Sequence, residues 1–392
     1  MSHAPRIVII GAGIGGLSLA LLLRKRGIVA EVLEQATELR EIGAAISLSA
    51  NSTRALAHLG LGEGLAEVSS VPAAMIHRDG HDGRPISYHV MGERYRDTFG
   101  APFFGLHRQA LQRLLGDAWS PEHLHLGCQV ETITKRGSGV WLACASGATF
   151  EADLVVGADG VHSRARQWVT GGDAPAYSGA SGFRGLVPVE LLPSLPEPDA
   201  AQFWMGPRAH LLHFSIDGGK VINFLAVVDE PARWSAPTWI APAEPGAHLA
   251  AFAGWHPAVV EMIGAVPQSP RFGLFARPPL RTWHRGPVVL LGDAAHAMLP
   301  HQGQGANQTI EDAVVLAAEL AGAGTDDLPA ALERYERLRR VRTRQVQLAS
   351  WATSGVLHLP AGPAARRRDA DLARLPERLA WIHGYNVFDD LR

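Results

Sequence analysis

The period of the hydrophobic pattern changes along the chain. Residues 6–10 (Arg-Ile-Val-Ile-Ile) form a short β-branched apolar run, the pattern of a buried strand. It stops at Gly11-Ala-Gly-Ile-Gly-Gly16. A helical pattern follows from Leu17 to Arg26, closed by Gly27 as a C-cap. A second apolar run, Val29 to Leu33, ends at Glu34, which completes a βαβ unit. Buried-strand runs recur at Ala152–Val156 and Val288–Leu291, each leading into a glycine-bearing turn. Helical spacing returns from Gly303 to Ala321. Between Tyr177 and Phe275 the period becomes two, with Pro and Gly punctuation, which predicts an antiparallel sheet. Nucleotide-binding signals flank that sheet, so it reads as an insertion. Leu332 to Ala349 is a basic helix whose charges read as a solvated face.

Composition narrows the classes. The chain has 392 residues, enough for two or three units at roughly 150 residues each. Hydrophobic residues are 47% and charged residues 19%, which excludes wholesale disorder. Lys+Arg 36 against Asp+Glu 38 gives −2, unlike a protein driven onto nucleic acid by phosphate neutralisation. Cys128 and Cys144 form no C-x-x-C pair and no disulfide framework. The N-terminal apolar run Leu17–Leu23 falls far short of the roughly 20 residues that span a bilayer. A cytoplasmic protein without stable membrane insertion is expected.

Four motifs carry chemistry. In the first, Gly11-x-Gly13-x-x-Gly16 sits between strand and helix. It allows a tight turn and close approach to a pyrophosphate, with free N–H groups at the helix start. Glu34 stands where a carboxylate accepts hydrogen bonds from ribose hydroxyls. This motif alone does not separate FAD from NAD. The second is Gly157-Ala-Asp-Gly-Val-His-Ser-Arg-Ala-Arg166, where Asp159 and the arginines organise polar contacts. The third runs from Gly292-Asp293 to Asp312. A strand ends at Asp293, and a glycine-rich stretch starts a helix near Gly305 whose dipole favours an anion. The fourth is Gly105-Leu-His-Arg108 ahead of the helix Gln109–Leu115. The pairs His210/His213 and His296/His301 lack a completing Cys or carboxylate, so no metal is expected.

In order and spacing, these elements resemble the flavoprotein aromatic hydroxylases, the group A flavoprotein monooxygenases. Gly157-Ala-Asp-Gly160 resembles that family's DG motif and Gly292-Asp293 its GD motif. Trp381-Ile-His-Gly-Tyr-Asn386 resembles the ending of the salicylate hydroxylase and 3-hydroxybenzoate 6-hydroxylase subgroup. The resemblance implies an α/β fold. A Rossmann-type, glutathione-reductase-like FAD-binding domain would carry an inserted antiparallel β-sheet substrate domain and C-terminal helices. The expected division is 1–72, 101–175 and 276–330 for FAD, 73–100 and 176–275 for substrate, and 331–392 for the helices.

It further implies FAD as cofactor and NADH or NADPH with O2 as co-substrates. Hydroxylation of a phenolic, hydroxybenzoate-like or N-heteroaromatic ring would proceed through a flavin C4a-hydroperoxide. Carried over residue by residue, Gly11, Gly13, Gly15 and Gly16 surround the pyrophosphate. Glu34 and Gln35 serve the adenosine ribose. Ala44 and Ala45 pass near the flavin, Arg108 takes the phosphate or ribityl side, and Val130 contacts adenine. Asp159 serves the DG motif, and Asp293 the ribityl chain. Gly305, Ala306 and Asn307 offer N–H groups to the flavin. His162 and Arg166 hold NAD(P)H. His210, Pro300 and His301 are the catalytic candidates. His210, Phe214, Phe224 and Pro300 are the substrate candidates, Phe214 standing where some relatives carry Tyr. A monomer or homodimer is expected. The alternatives are the same flavin chemistry on a larger natural product, and a non-catalytic flavin-binding protein.

Overall fold

The computed structural model describes residues 3–39, 45–230, 233–236 and 238–391. The expected α/β architecture is present, built on two large sheets. In the first, Ile7–Ile10 pairs in parallel with Ala30–Leu33 on one side and Leu154–Gly157 on the other. The latter pairs in parallel with Val288–Leu290. Leu124–His125 and His284–Arg285 are its edges. A parallel sheet is covered on both faces, which is why these strands are apolar without alternation. The helices Ile14–Arg24 and Gly305–Leu320 supply much of the cover and are buried along most of their length.

The second sheet has eight strands. Arg271–Ala276, Ala176–Pro188, Val221–Asp229, Ala209–Ile216 and Ala201–Gly206 pair antiparallel in that spatial order. One pairing departs from the antiparallel expectation. Ala74–Asp79, far earlier in the chain, runs parallel to Ala201–Gly206. A strand reached across that separation has no hairpin to set its direction.

Period two assigns each residue of this sheet to a face. On the outer face Trp204, Leu211, Phe224 and Ala226 pack with Phe252, Val259 and Met262 into a closed apolar core. Each large side chain so buried contributes roughly 1.5–3 kcal/mol. The inner face carries His210, Leu212 and Phe214 on Ala209–Ile216, with Phe203 and Met205 beside them on Ala201–Gly206. This face looks toward the nucleotide-binding part. Phe214 clusters with Ala45, and Val227 with Leu299.

The C-terminal helices begin with Leu328–Leu357, which runs well past the expected Leu332–Ala349 at both ends. Its polar face is not simply solvated. Arg339 lies within the buried stripe Leu328, Leu332, Tyr335, Arg339, Val346 and is fully buried. Its guanidinium meets Glu311 at 2.6 Å and Asp312 at 2.8 Å. Arg342 adds a second bond to Glu311 at 2.7 Å. No helix among the described residues is long and apolar enough to cross a membrane.

Candidate active site

The first motif works through packing as much as through ligand contact. Gly11 has φ +105°, and a Cβ there would lie 2.5 Å from the Ala158 carbonyl oxygen. The glycine loop and the Gly157–Gly160 turn therefore press directly against each other, and only glycine fits. Gly15 and Gly16 are buried by protein. A Cβ on Gly15 would stand 2.5 Å from Thr309 Cγ2, and one on Gly16 would meet the Gly11 carbonyl. These two glycines bring the helix Ile14–Arg24 close to its neighbours, whereas Gly11 and Gly13 stay partly open. The first N–H groups of that helix have no acceptor within it and suit an anion.

Glu34 is held in place by the backbone. Its carboxylate accepts from the N–H of Ala12 and of Ala36, each at 2.9 Å. The remaining lone pairs suit ribose hydroxyls. Gln35 beside it is exposed, and Val130 is buried at the start of a strand. Arg108 begins the helix Arg108–Asp117. Ala45 opens the strand Ala45–Leu48, while Ala44 lies outside the described residues.

Asp159 departs from the expected role of a free cofactor ligand. Its oxygens accept from Arg164 N at 2.7 Å, Ala165 N at 3.1 Å and the Ser163 hydroxyl. It is committed to the N-terminus of the helix Arg164–Thr170 and shapes the turn that Gly11 rests on. Arg166 is corrected outright. It is buried, ion-paired to Asp173 at 2.6 Å, and donates to the carbonyls of Ala294 and Ala295. A buried guanidinium that spends four of its N–H groups on Asp173 and the Ala294 and Ala295 carbonyls is not open to NAD(P)H. It ties the second motif to the third. His162 and Arg164 are the exposed residues of this segment. Phe224 is also corrected. Alternation turns it away from the inner face and into the outer core.

Asp293 stands at the start of the short helix Asp293–His296, with its carboxylate toward Gly305. Gly305, Ala306 and Asn307 form the first turn of Gly305–Leu320. The Asn307 side chain is occupied rather than offered. It donates to the carbonyls of Ser47 (3.1 Å) and Gly303 (2.7 Å) and accepts from Ser49 N (2.8 Å). It stitches the Ala45–Leu48 segment to the helix, and the first backbone N–H groups of that helix have no acceptor within it. Behind it, Asn51 donates to Glu311 at 2.6 Å, and Asp312 receives His296 at 2.5 Å and Gly292 N at 3.1 Å.

The catalytic candidates come together. His210 and His301 stand edge to face with ring centroids 5.3 Å apart, both nearly fully buried. Pro300 precedes His301 and remains partly open. Neither His301 nitrogen has a hydrogen-bond partner in the structure. Burial lowers His301 to about 4, with His358 adding to it, and burial drives His210 well below the ordinary histidine range. Both are neutral at neutral pH. A buried imidazole left without a hydrogen-bond partner is costly, and His213 on the closed outer face shares that state, so it is the meeting of His301 with His210 on the inner face that singles His301 out as a candidate.

Sequence reading missed His358. Its Nε2 lies 2.6 Å from His210 Nδ1, and its Nδ1 lies 2.7 Å from Asp229. His213, three residues from His210, faces the opposite side of the sheet beside Trp204, so the spacing His210/His213 builds no paired site. No group of metal-ligating side chains occurs among the described residues.

A donor set of helix N-termini, a backbone-braced carboxylate and a glycine loop fits a flavin dinucleotide. Comparison with known proteins agrees. The model of the FAD binding domain family matches residues 5–350. The chain is 41% identical to 3-amino-4-hydroxybenzoate 2-monooxygenase PtmB3 of Streptomyces platensis, over 98% of this chain and 97% of that protein. It superposes on a salicylate hydroxylase substrate complex with TM-score 0.86 at 32% identity, covering 99% of this chain and 97% of the other. Klebsiella pneumoniae HpxO complexed with FAD and uric acid gives TM-score 0.84 at 30% identity, covering 98% and 97%. The chain belongs to the FAD binding domain family, among its flavoprotein aromatic hydroxylases.

Proposed function

We propose that this protein hydroxylates a single aromatic ring bearing a hydroxyl group, of the amino- or hydroxybenzoate class, with NAD(P)H and O2. One observation carries the reading. Two neutral, buried histidines, His210 and His301, face each other at the inner sheet wall, and His301 has no hydrogen-bond partner among the described residues. Such a pair accepts a hydrogen bond from a ring hydroxyl, which makes the ring electron-rich. The 41% identity to a 3-amino-4-hydroxybenzoate 2-monooxygenase supports the substrate class.

FAD, reduced by NAD(P)H, supplies the activated oxygen when bound. The chain does the rest. Gly11 and Gly13 would admit the pyrophosphate, Glu34 would take the ribose, and Asp293 would hold the ribityl chain. The N–H groups at Gly305 and Ala306 would hold the flavin ring, and Phe214 with Phe203 and Met205 forms an apolar wall. That wall excludes water from the reacting atoms. Pro300 fixes the loop that carries His301.

The test supplies FAD-loaded protein with NADH or NADPH and a panel of amino- and hydroxybenzoates, and follows product by mass. A benzoate-class ring gaining one hydroxyl supports the reading. Turnover confined to fused natural-product rings, or tight FAD with no substrate-stimulated NAD(P)H oxidation, overturns it.

A further inference from the structure

From the geometry we infer that Asp229 and His358 form a proton relay that sets the tautomer of His210 and carries the substrate hydroxyl proton to solvent. This rests on the aromatic-hydroxylase reading and adds two residues from distant parts of the chain.

The inference follows from the order of the bonds. Asp229 is 39% exposed, whereas the His358 side chain is 4% exposed. The carboxylate accepts a hydrogen bond, so His358 carries its proton on Nδ1, 2.7 Å away. Its Nε2 is then an acceptor. His210 Nδ1, at 2.6 Å, must therefore be the donor. That leaves the lone pair on His210 Nε2, the one nitrogen of the chain of three groups free to take a proton from a ring hydroxyl. A carboxylate at one end thus fixes which nitrogen is basic at the other.

The transfer balances. The ring O–H breaks as N–H forms on His210 Nε2. The Nδ1–H of His210 passes to His358 Nε2, and the Nδ1–H of His358 passes to Asp229, which releases it to water. The reverse passage reprotonates the product hydroxyl and restores both tautomers. Burial keeps His210 from storing the charge, and His301 beside it raises the cost further. His358 is the one member facing a carboxylate, which opposes the lowering that burial causes. The groups facing the pair are thus His301 on one side and Asp229 on the other. His358 caps the long helix Leu328–Leu357, and its carbonyl accepts from Arg208 N, so the helix end positions it against the sheet.

The experiment uses FAD-loaded enzyme without NAD(P)H and the chromophoric phenol 4-hydroxy-3-nitrobenzoate. Ionisation of the bound phenol is read from its visible band, against pH at equilibrium and against time after mixing. In Asp229→Asn ionisation should slow tenfold or more with no rise in the pH midpoint, because the amide takes no proton from His358 Nδ1 and no longer opposes the phenolate charge. In His358→Ala ionisation should slow tenfold or more, and added imidazole should restore it. The flavin spectrum and melting temperature verify that both variants fold, Asp229→Asn being a near-isosteric change at a partly exposed site. Rates equal to wild type in both variants, with wild-type hydroxylation intact, overturn the relay alone. A wild-type enzyme that neither ionises the phenol nor hydroxylates any benzoate overturns the relay together with the reading beneath it.

Discussion

Two buried polar clusters both engage the long helix Leu328–Leu357, one along its middle and one at its C-terminal end, and they differ in charge. The first joins Glu311 and Asp312 of the helix Gly305–Leu320 to Arg339 and Arg342 of Leu328–Leu357, with His296 and Asn51 closing the rest. Every charge there has an opposite charge. The second joins His210, His301 and His358. It carries no formal charge at neutral pH, and His301 has no hydrogen-bond partner among the described residues. The first cluster holds the architecture, because its carboxylates and guanidinium groups are spent on one another, His296 Nδ1 alone among the named groups staying unpartnered. The second is where chemistry belongs, because the protein leaves its bonding incomplete.

The sharpest way to break this contrast is to remove one member from each. Arg339→Met strands Glu311 and Asp312 in the interior, at a cost of about 3–5 kcal/mol. Urea unfolding should show a large loss of stability, and purified yield should fall. His301→Leu removes unpartnered nitrogens, so its melting temperature should hold or rise. Its hydroxylation should nonetheless drop by roughly 100-fold, the scale of a lost acid–base or hydrogen-bonding group. Equal melting losses in the two variants would erase the distinction.

A second perturbation addresses the cofactor cradle. Gly11→Ala places a Cβ against Ala158 O at a φ of +105°. Strain of about 1–3 kcal/mol at that turn should weaken FAD retention by roughly tenfold or more, measured by flavin fluorescence.

The clusters also differ in acid. Burial pushes Glu311 and Asp312 up, but Arg339 with Arg342 and His296 outweighs it and holds both carboxyls low. Their contribution is present above the ordinary carboxylate range and is lost as pH falls through the depressed values. His301 behaves oppositely in charge but alike in sign. It stays neutral in the folded state down to about 4, while the unfolded chain protonates near 6.5. Stability is therefore full above about 6.5 and declines toward pH 4, by roughly 3 kcal/mol from this group. His301→Leu should flatten that part of the urea-derived stability curve and leave the steeper loss below it.

The smallest test concerns the two sheet faces. Phe224→Tyr buries a hydroxyl in the closed outer core and should cost about 1–3 kcal/mol. Phe214→Tyr, on the inner wall, should change stability by less and act mainly on substrate KM.

The amino-acid sequence made the cofactor cradle legible because backbone constraints act locally. A strand, a glycine loop and a helix must follow one another, and Glu34 must end the next strand. The inner position of His210 and Phe214 also follows from alternation once the strand is placed. Phe224 was misassigned because aromatic identity says nothing about face, which register alone decides. Arg166 lies two residues from the exposed Arg164, a spacing that in a helix separates exposed from buried. Arg339 left a usable signal, an arginine inside the apolar stripe of a helix, which the surrounding basic residues masked. His358 left none. It is 148 residues from His210, and only the docking of the long helix end onto the sheet brings them together.

The most direct measurement of the central claim compares wild type with His210→Gln under 18O2, with NAD(P)H consumption and labelled product counted together on a hydroxybenzoate substrate. The account predicts one 18O atom per wild-type product. It also predicts a variant that still binds FAD and consumes NAD(P)H but yields less than about a tenth of the labelled product. A variant that hydroxylates as fully as wild type would show that the incomplete histidine cluster is not where the ring reacts.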